Sequence, residues 1–329
     1  MRPMLSFRSI LSAFVLSMLG VVSTGSALAQ ANYPDKPVRF VVPYPPGGGT
    51  DVIARIVQDR FQALLGQPII IDNKGGAGGS VGSELAARAA PDGYTVLFTL
   101  SSHTINPAIY PKLSFDTLKD FESIGTVASL PQILVANPQV PANTVAELVA
   151  LAKAKPELLA YASVGNGSPG HLAGELFKLR TGTQMTHIPY RGGGPAVTDV
   201  MSGQVPLLWV SIPAAAQFVK AGKLKALAVS TLKRSAAFPD VPTVQETGVP
   251  DFEVDSWYAM FVPARTPQPV IDRLNRALNT VVTEAAIRDK LLAQGAEGVG
   301  GTPQALTRIV AAEIPKWAKL AKDANIKAD

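Results

Sequence analysis

Val38-Arg39-Phe40-Val41-Val42-Pro43-Tyr44-Pro45-Pro46-Gly47-Gly48-Gly49-Thr50-Asp51-Val52 decides how the chain is built. The first five residues read as a short buried strand that stops at Pro43. A turn rich in proline and glycine follows. From Thr50 the apolar positions Val52, Ile53, Ile56, Val57, Phe61, Leu64 and Leu65 recur with a period near 3.6, which predicts a helix. Thr50 suits its N-cap, Asp51 its first turn and Gly66 its stop.

The same alternation continues on both sides. Ile69-Ile70-Ile71 reads as a strand, Ser80–Ala90 as a helix after Gly75-Gly76-Ala77-Gly78-Gly79, and Tyr94–Thr99 as a strand after the turn Pro91-Asp92-Gly93. Such alternation predicts α/β architecture, with a parallel sheet covered by helices on both faces. A second set begins near residue 130. It has helices at Thr144–Lys155, Gly170–Thr181 and Ala214–Lys220, and strands at Leu158–Ser163, Met185–Ile188, Val205–Val210 and Leu224–Ser230. Thr144 with Glu147 fits a capping box. After a strand at Trp257–Val262 the chain turns helical. Val270, Leu274, Leu278 and Val281 form one stripe; Leu306, Ile309, Val310 and Trp317 form another. A helical tail without a sheet of its own must pack on an earlier lobe. The expected domains are therefore 31–129 plus 256–329 for one lobe and 130–255 for the other.

Residues 1–29 stand apart. Arg2 and Arg8, an apolar run from Ile10 to Val22 and then Ala27-Leu28-Ala29 have the order of a secretory signal peptide, with cleavage expected after Ala29 or Ala31. The run is too short to span a bilayer. The chain has no cysteine, which removes disulfides, thiolate metal sites, a cysteine nucleophile and the lipid-bearing cysteine of a lipoprotein. An exported protein without an anchor points to the periplasm of a cell with an outer membrane. The chain carries 30 basic and 25 acidic side chains; without Arg2 and Arg8 the balance is 28 against 25, or +3. No basic run stands out, so nucleic acid is not an expected partner.

The stretch quoted first has an echo. Ile188-Pro189-Tyr190-Arg191-Gly192-Gly193-Gly194-Pro195-Ala196-Val197-Thr198-Asp199-Val200 is again a strand end, Pro-Tyr, three glycines and a helix start bearing Thr-Asp-Val, with three extra residues before the threonine. Glycines let main-chain N–H groups approach a ligand, and the first turn of a helix offers unpaired N–H groups at its positive end. Together they make an anion site beyond the carboxyl ends of the strands. One such site per lobe is suited to a small carboxylate held between them. Ser101-Ser102-His103 with Asn106, Ser163–His171, and Ser211 also fall at strand ends, where hydroxyl groups suit a polar cleft.

Other chemistries fit less well. Gly165-Asn166-Gly167-Ser168-Pro169-Gly170 matches G-x-G-x-x-G between a strand and a helix, the context of a dinucleotide-binding oxidoreductase. It is not in the first βα unit, however, and no acid occupies the ribose position. Ser168 lacks the preceding glycine of a nucleophile elbow. His103, His171 and His187 show no metal-ligand spacing. No catalytic residue, cofactor or metal is expected.

Taken together, the chain resembles the tripartite tricarboxylate transporter receptor family, also called the Bug family. The residues that carry the resemblance are Tyr33-Pro34, Lys36-Pro37, the first loop, Asn73–Gly79, Pro91–Thr95, Pro189–Gly194 and Phe238-Pro239-Asp240-Val241-Pro242-Thr243. The resemblance implies a two-lobed type II periplasmic binding fold. Each lobe would be a mostly parallel sheet flanked by helices, with the ligand cleft between lobes. It implies a monomeric receptor, not an enzyme, that delivers a carboxylate to inner-membrane permease subunits by hinge closure. It places the ligand at Tyr44, Gly48, Gly49, Thr50 and Asp51 and at Tyr190, Arg191, Gly192 and Gly193, with Ser101, Asn106, Ser168 and His171 as wall residues. Whether Asp51 and Arg191 face the ligand stays open at this level. So does the choice between a dicarboxylate, an amino acid and an aromatic carboxylate. A receptor feeding a sensor kinase would share every one of these features.

Overall fold

The computed structural model describes residues 33–326 except Gly48, Pro111, Arg191 and Gly192. The signal-peptide reading, and the expected roles of Gly48, Arg191 and Gly192, lie outside the described residues.

The opening strand is β1 (Val38–Val42), and the helix after the first glycine loop is α1 (Gly49–Leu65). The expected cap at Thr50 thus falls one residue inside the helix. β2 (Ile69–Asn73), α2 (Ser80–Ala87) and β3 (Thr95–Leu100) complete the first βαβ set, and β1 pairs parallel with both β2 and β3. After α3 (Ser102–Ile109) and the long strand β4 (Phe121–Ala136) comes α4 (Val145–Ala154). Thr144 caps α4 by accepting from Glu147 N–H at 3.1 Å, and Glu147 reaches back to the N–H of Asn143. The second set is β5 (Ala160–Ser163), α5 (Pro169–Thr181), β6 (Thr186–Pro189), α6 (Gly193–Met201), β7 (Leu207–Ser211), α7 (Ile212–Lys220) and β8 (Lys225–Val229). β9 (Asp255–Pro263), α8 (Gln268–Thr283), α9 (Ala285–Ala293), β10 (Glu297–Gly300) and α10 (Pro303–Asp323) finish the chain.

The strands run in the order β2-β1-β3-β9-β4-β7-β5-β6, with β8 and β10 also on β4. Pairing is parallel among β1, β2 and β3 and among β5, β6 and β7; it is antiparallel wherever β4 or β9 takes part. β4 therefore joins the two halves. Phe121 to Pro131 pair with β9, and Gln132 to Ala136 pair with β7.

The sequence analysis assigns no strand over 121–136, a stretch that contains two strand breakers, Gly125 and Pro131. The structure absorbs both. The register slips between Ser123 and Gly125, and Pro131 stands where the ladder changes partners, so its missing N–H interrupts neither half.

Helices cover both faces of each half. Under β1, Phe40 packs edge-on to Phe61 of α1 at 5.5 Å, within a core that also buries Val270, Leu274, Leu278 and Val281 of α8. The opposite face buries Phe261 and Trp257 with Leu306 and Val310 of α10. In the second half, Trp209 and Phe177 pack against Phe252, and the core there also takes Trp317 and Leu320 of α10. One member of the predicted α10 stripe is corrected. Ile309 is 38% exposed, because it lies one residue, roughly 100° around the helix, from Val310. Among the described residues no helix is long and apolar enough to cross a membrane.

Candidate functional site

The strand ends and helix starts of the two halves meet around a cleft of about 800 Å³. Gly49, Thr50, Ser102 and Tyr258 line it from the first half. Val164, Ser168, Gly193, Ser211 and Ala214 line it from the second, and Leu130 and Gln132 of β4 form its floor.

Residues at the starts of five helices stand in this wall: Gly49 of α1, Ser102 of α3, Pro169 of α5, Gly193 of α6 and Pro213 of α7. Each helix start brings a positive dipole end, and the starts at Gly49, Ser102 and Gly193 can add N–H groups that Pro169 and Pro213 lack. The lining residues that are described are all uncharged, and many are apolar, among them Val52, Ile53, Leu100, Val164 and Val210. An anion here would be held by oriented dipoles at the helix starts. Among the described residues no group of three or more His, Cys, Asp or Glu is placed to hold a metal ion.

The first loop is held by its own acid. Asp51 is 2% exposed. One carboxylate oxygen accepts from Gly47 N–H and from Arg55 Nε, both at 2.9 Å; the other accepts from Asn73 Nδ2 at 3.1 Å. Burial pushes the Asp51 carboxyl up, but the bonds from Arg55, Gly47 and Asn73 outweigh burial and hold it below the ordinary value. Asp51 does not line the cleft; it supports the turn at Gly47, whose φ of +79° lies in the left-handed region.

Tyr44 does line the cleft. Its hydroxyl meets Ser102 Oγ and lies 3.4 Å from Gly78 O, and burial pushes its pKa up. Asn106 also lines the cleft, and its Nδ2 donates to Gly78 O at 3.0 Å and to Ser80 Oγ at 3.3 Å. Tyr44, Ser102 and Asn106 thus converge on Gly78, fixing a third glycine loop against the cleft. Ser101 is fully buried behind this wall, its hydroxyl unpartnered among the described residues. The serine that reaches the cleft is the next one, Ser102.

In the second half Ser168 lines the cleft and caps α5, accepting from His171 N–H at 3.2 Å and donating to Gly165 O at 2.7 Å. His171 lies behind the loop. Its Nδ1 accepts from Gly167 N–H at 3.1 Å, and its ring stacks on His187 at 3.8 Å. Burial, then the neighbouring His171 and Lys178, push His187 down to about 3. Tyr190 is off the wall as well. Its hydroxyl donates to Asp199 Oδ2 at 2.7 Å, and burial followed by that carboxylate pushes its pKa up to about 12. Gly193 lines the cleft, where a Cβ would sit 3.2 Å from that of Ala214. His103 is enclosed by Phe115, Phe121 and Phe261, and burial pushes it down to about 3.

Sequence reading missed the side chains of the crossing strands. Ser256 and Tyr258, two apart on β9, both line the cleft, while Trp257 and Ala259 between and beside them face the core. Alternation along β9 was the available signal. Tyr258 is buried, and its hydroxyl has no hydrogen-bond partner among the described residues; a Cβ on Gly49 would lie 2.8 Å from it. Burial pushes that hydroxyl well above its ordinary pKa, so it stays a donor. It stands at the start of α1, where N–H groups converge.

Known proteins resemble the chain over most of its length. The family model described as the tripartite tricarboxylate transporter family receptor matches residues 53–326. Protein BugT of Bordetella pertussis is 37% identical over 319 residues, 95% of this chain and 98% of that protein. A solved Rhodopseudomonas palustris structure with adipate superposes with a TM-score of 0.81 at 35% identity, covering 90% of this chain and 99% of the other. MatC of the same organism, with bound malate, gives a TM-score of 0.77 at 32% identity over 88% of this chain and 99% of its own.

Proposed function

The chain belongs to the tripartite tricarboxylate transporter receptor family, whose members are periplasmic receptors, and from that premise we propose that it captures a small carboxylate in the cleft between its halves. One observation carries the reading. A cleft lined by uncharged described residues is ringed by five helix starts, whose dipoles favour an anion, and by a tyrosine hydroxyl that has no partner among the described residues and can donate to it. Gly49, Thr50 and Tyr258 take the carboxylate on one side, and Gly193 and Ser168 complete its shell on the other. Tyr44 and Asn106 brace the wall. The relatives bound to adipate and malate support a carboxylate as the ligand class.

The protein acts as an exported receptor and not as an enzyme. It works as a monomer and passes its ligand to a membrane permease of the tripartite tricarboxylate type. Closure about β4 and β9 brings the second half over the ligand, and the ligand favours the closed form only through contacts made there.

A thermal-shift panel tests the ligand class. It covers dicarboxylates, tricarboxylates, amino acids, and aromatic and pyridine carboxylates. A true ligand at roughly 100 times its dissociation constant adds about 2.7 kcal/mol of stability. If a sugar or a cation raises the melting temperature and no carboxylate does, the reading fails. For a carboxylate that binds, Tyr258→Phe should weaken affinity about tenfold, the size expected for loss of one hydrogen bond to a charged group, with the fold intact.

A further inference from the structure

The cleft has two chemically different ends. Near Gly49 and Gly193, helices begin and Tyr258 presents its hydroxyl. At the floor the main chain has little left to give. The N–H of Gln132 donates to Ser230 Oγ at 3.0 Å, and its carbonyl accepts from Ser230 N–H at 2.9 Å. Pro131 has no N–H, and Leu130 is laddered to Ser256.

What the floor offers instead is a pair of side chains. Gln132 Nε2 donates to Ser256 Oγ at 2.9 Å, and both residues line the cleft while being about 95% buried or more. That bond leaves the Gln132 carboxamide oxygen and the Ser256 hydroxyl hydrogen without partners among the described residues. One free acceptor beside one free donor is the complement of an alcohol, which gives one hydrogen bond and takes another.

A carboxylate at the same place would fare badly. It would set its lone pairs against the Gln132 oxygen, with a single hydroxyl to serve two charged oxygens. No charged side chain among the described lining residues would neutralise it. A buried and under-paired charge is disfavoured more strongly than an unmade neutral hydrogen bond.

We propose that Gln132, oriented by Ser256, determines ligand specificity: it accepts a hydrogen bond from a hydroxyl group on the ligand and disfavours a second carboxylate at the floor. The ligand class is then a hydroxy-monocarboxylate, its carboxylate at the helix starts and its hydroxyl on the crossing strands. This rests on the carboxylate reading of the cleft given above.

The test is calorimetric titration of the full chain with two matched sets of probes. One set is hexanoate, 6-hydroxyhexanoate and adipate; the other is butyrate, 4-hydroxybutyrate and succinate. In at least one set the hydroxy acid should bind about tenfold more tightly than both partners, the discrimination of one satisfied buried group. Gln132→Leu should bring the ratio of hydroxy acid to plain acid to within about twofold of unity, and Ser256→Ala, which frees the amide to turn, should at least halve it. The Ser256 variant decides the matter if the leucine variant does not fold.

A diacid that binds more tightly than the hydroxy acid overturns the inference, because the amide would then be presenting its NH2 group. A hydroxyl preference unchanged in both variants overturns it as well. Binding of these acids without any hydroxyl preference sinks this inference and leaves the carboxylate reading standing. If none of the six acids binds while other carboxylates do, the class assigned here is wrong; if no carboxylate of any kind binds, both readings fall.

Discussion

Asp51 and Asp199 both close the Thr-Asp pair of two similar glycine loops, yet they are connected differently. Asp51 lies in the opening turn of α1 and gathers Gly47, Arg55 and Asn73 around one buried carboxylate. Its loop is fastened from below, which leaves Tyr44 to reach across to Ser102. In the second loop three extra residues carry Thr198-Asp199-Val200 into the second turn of α6, and Asp199 receives the hydroxyl of Tyr190. Thr50 is buried on the cleft wall, whereas Thr198 is exposed and bonds back to Gly194 O at 3.0 Å. The two loops share a glycine at a helix start facing the ligand space. Their polar side chains have been reassigned to whatever each loop needs to stay in place.

The largest expected effect on this contrast is in stability. Asp51→Ala strands three donors and should lower the unfolding free energy by about 2–3 kcal/mol; Asp199→Ala removes one contact and should lower it by about 1 kcal/mol. Urea denaturation reads both, and equal losses would erase the distinction between the loops.

The next effect is in binding. A methyl at Gly49 meets the Tyr258 hydroxyl at 2.8 Å, while one at Gly193 meets Ala214 at an easier 3.2 Å. Gly49→Ala should therefore weaken carboxylate binding about tenfold and Gly193→Ala about twofold, as measured by titration calorimetry. The reverse ranking would make the second loop the tighter half of the site.

A third effect depends on pH. The hydrogen bonds around Asp51 hold its carboxyl below the ordinary value. Its contribution is therefore fully present above the unfolded value and is lost as pH falls through the depressed one. The stability gap between the parent and Asp51→Asn should be constant near neutrality and close below about pH 4 in acid denaturation curves. A gap that widens in acid would contradict the hydrogen-bond assignment.

The smallest effect concerns the tyrosines. Tyr190→Phe removes one bond to Asp199 and should cost about 1 kcal/mol of stability with little change in binding. Tyr44→Phe loosens the Gly78 wall and should be felt in affinity first.

Much of the fold was legible because its signals are local. The period of α1, the cap at Thr144 and the buried stripe of α8 are each written within a few turns of chain. β4 was not legible: Gly125 and Pro131 are local breakers, and only pairing with β9, more than a hundred residues away, makes them tolerable. The site divides the same way. Gly49, Thr50 and Gly193 belong to glycine loops at helix starts, a feature visible along the chain. Gln132, Ser256 and Tyr258 reach the cleft only because two distant strands cross; alternation along β9 sets Ser256 and Tyr258 on one face but does not say what that face meets. Ser101 and Ser102 show the limit of resolution, since a single residue of rotation puts one in the core and the other on the wall.

Helix α10 has a mechanical side. Its first part, through Leu306 and Val310, is seated on the core beneath Phe261; its last part, through Trp317 and Leu320, is seated on the core that holds Leu134 and Leu172. Between them stands Pro315, which withholds one N–H from the helix ladder. A rod bolted to two bodies and thinned in the middle behaves as a leaf spring. In the closure proposed above, rotation of one half against the other would flex the helix at that point.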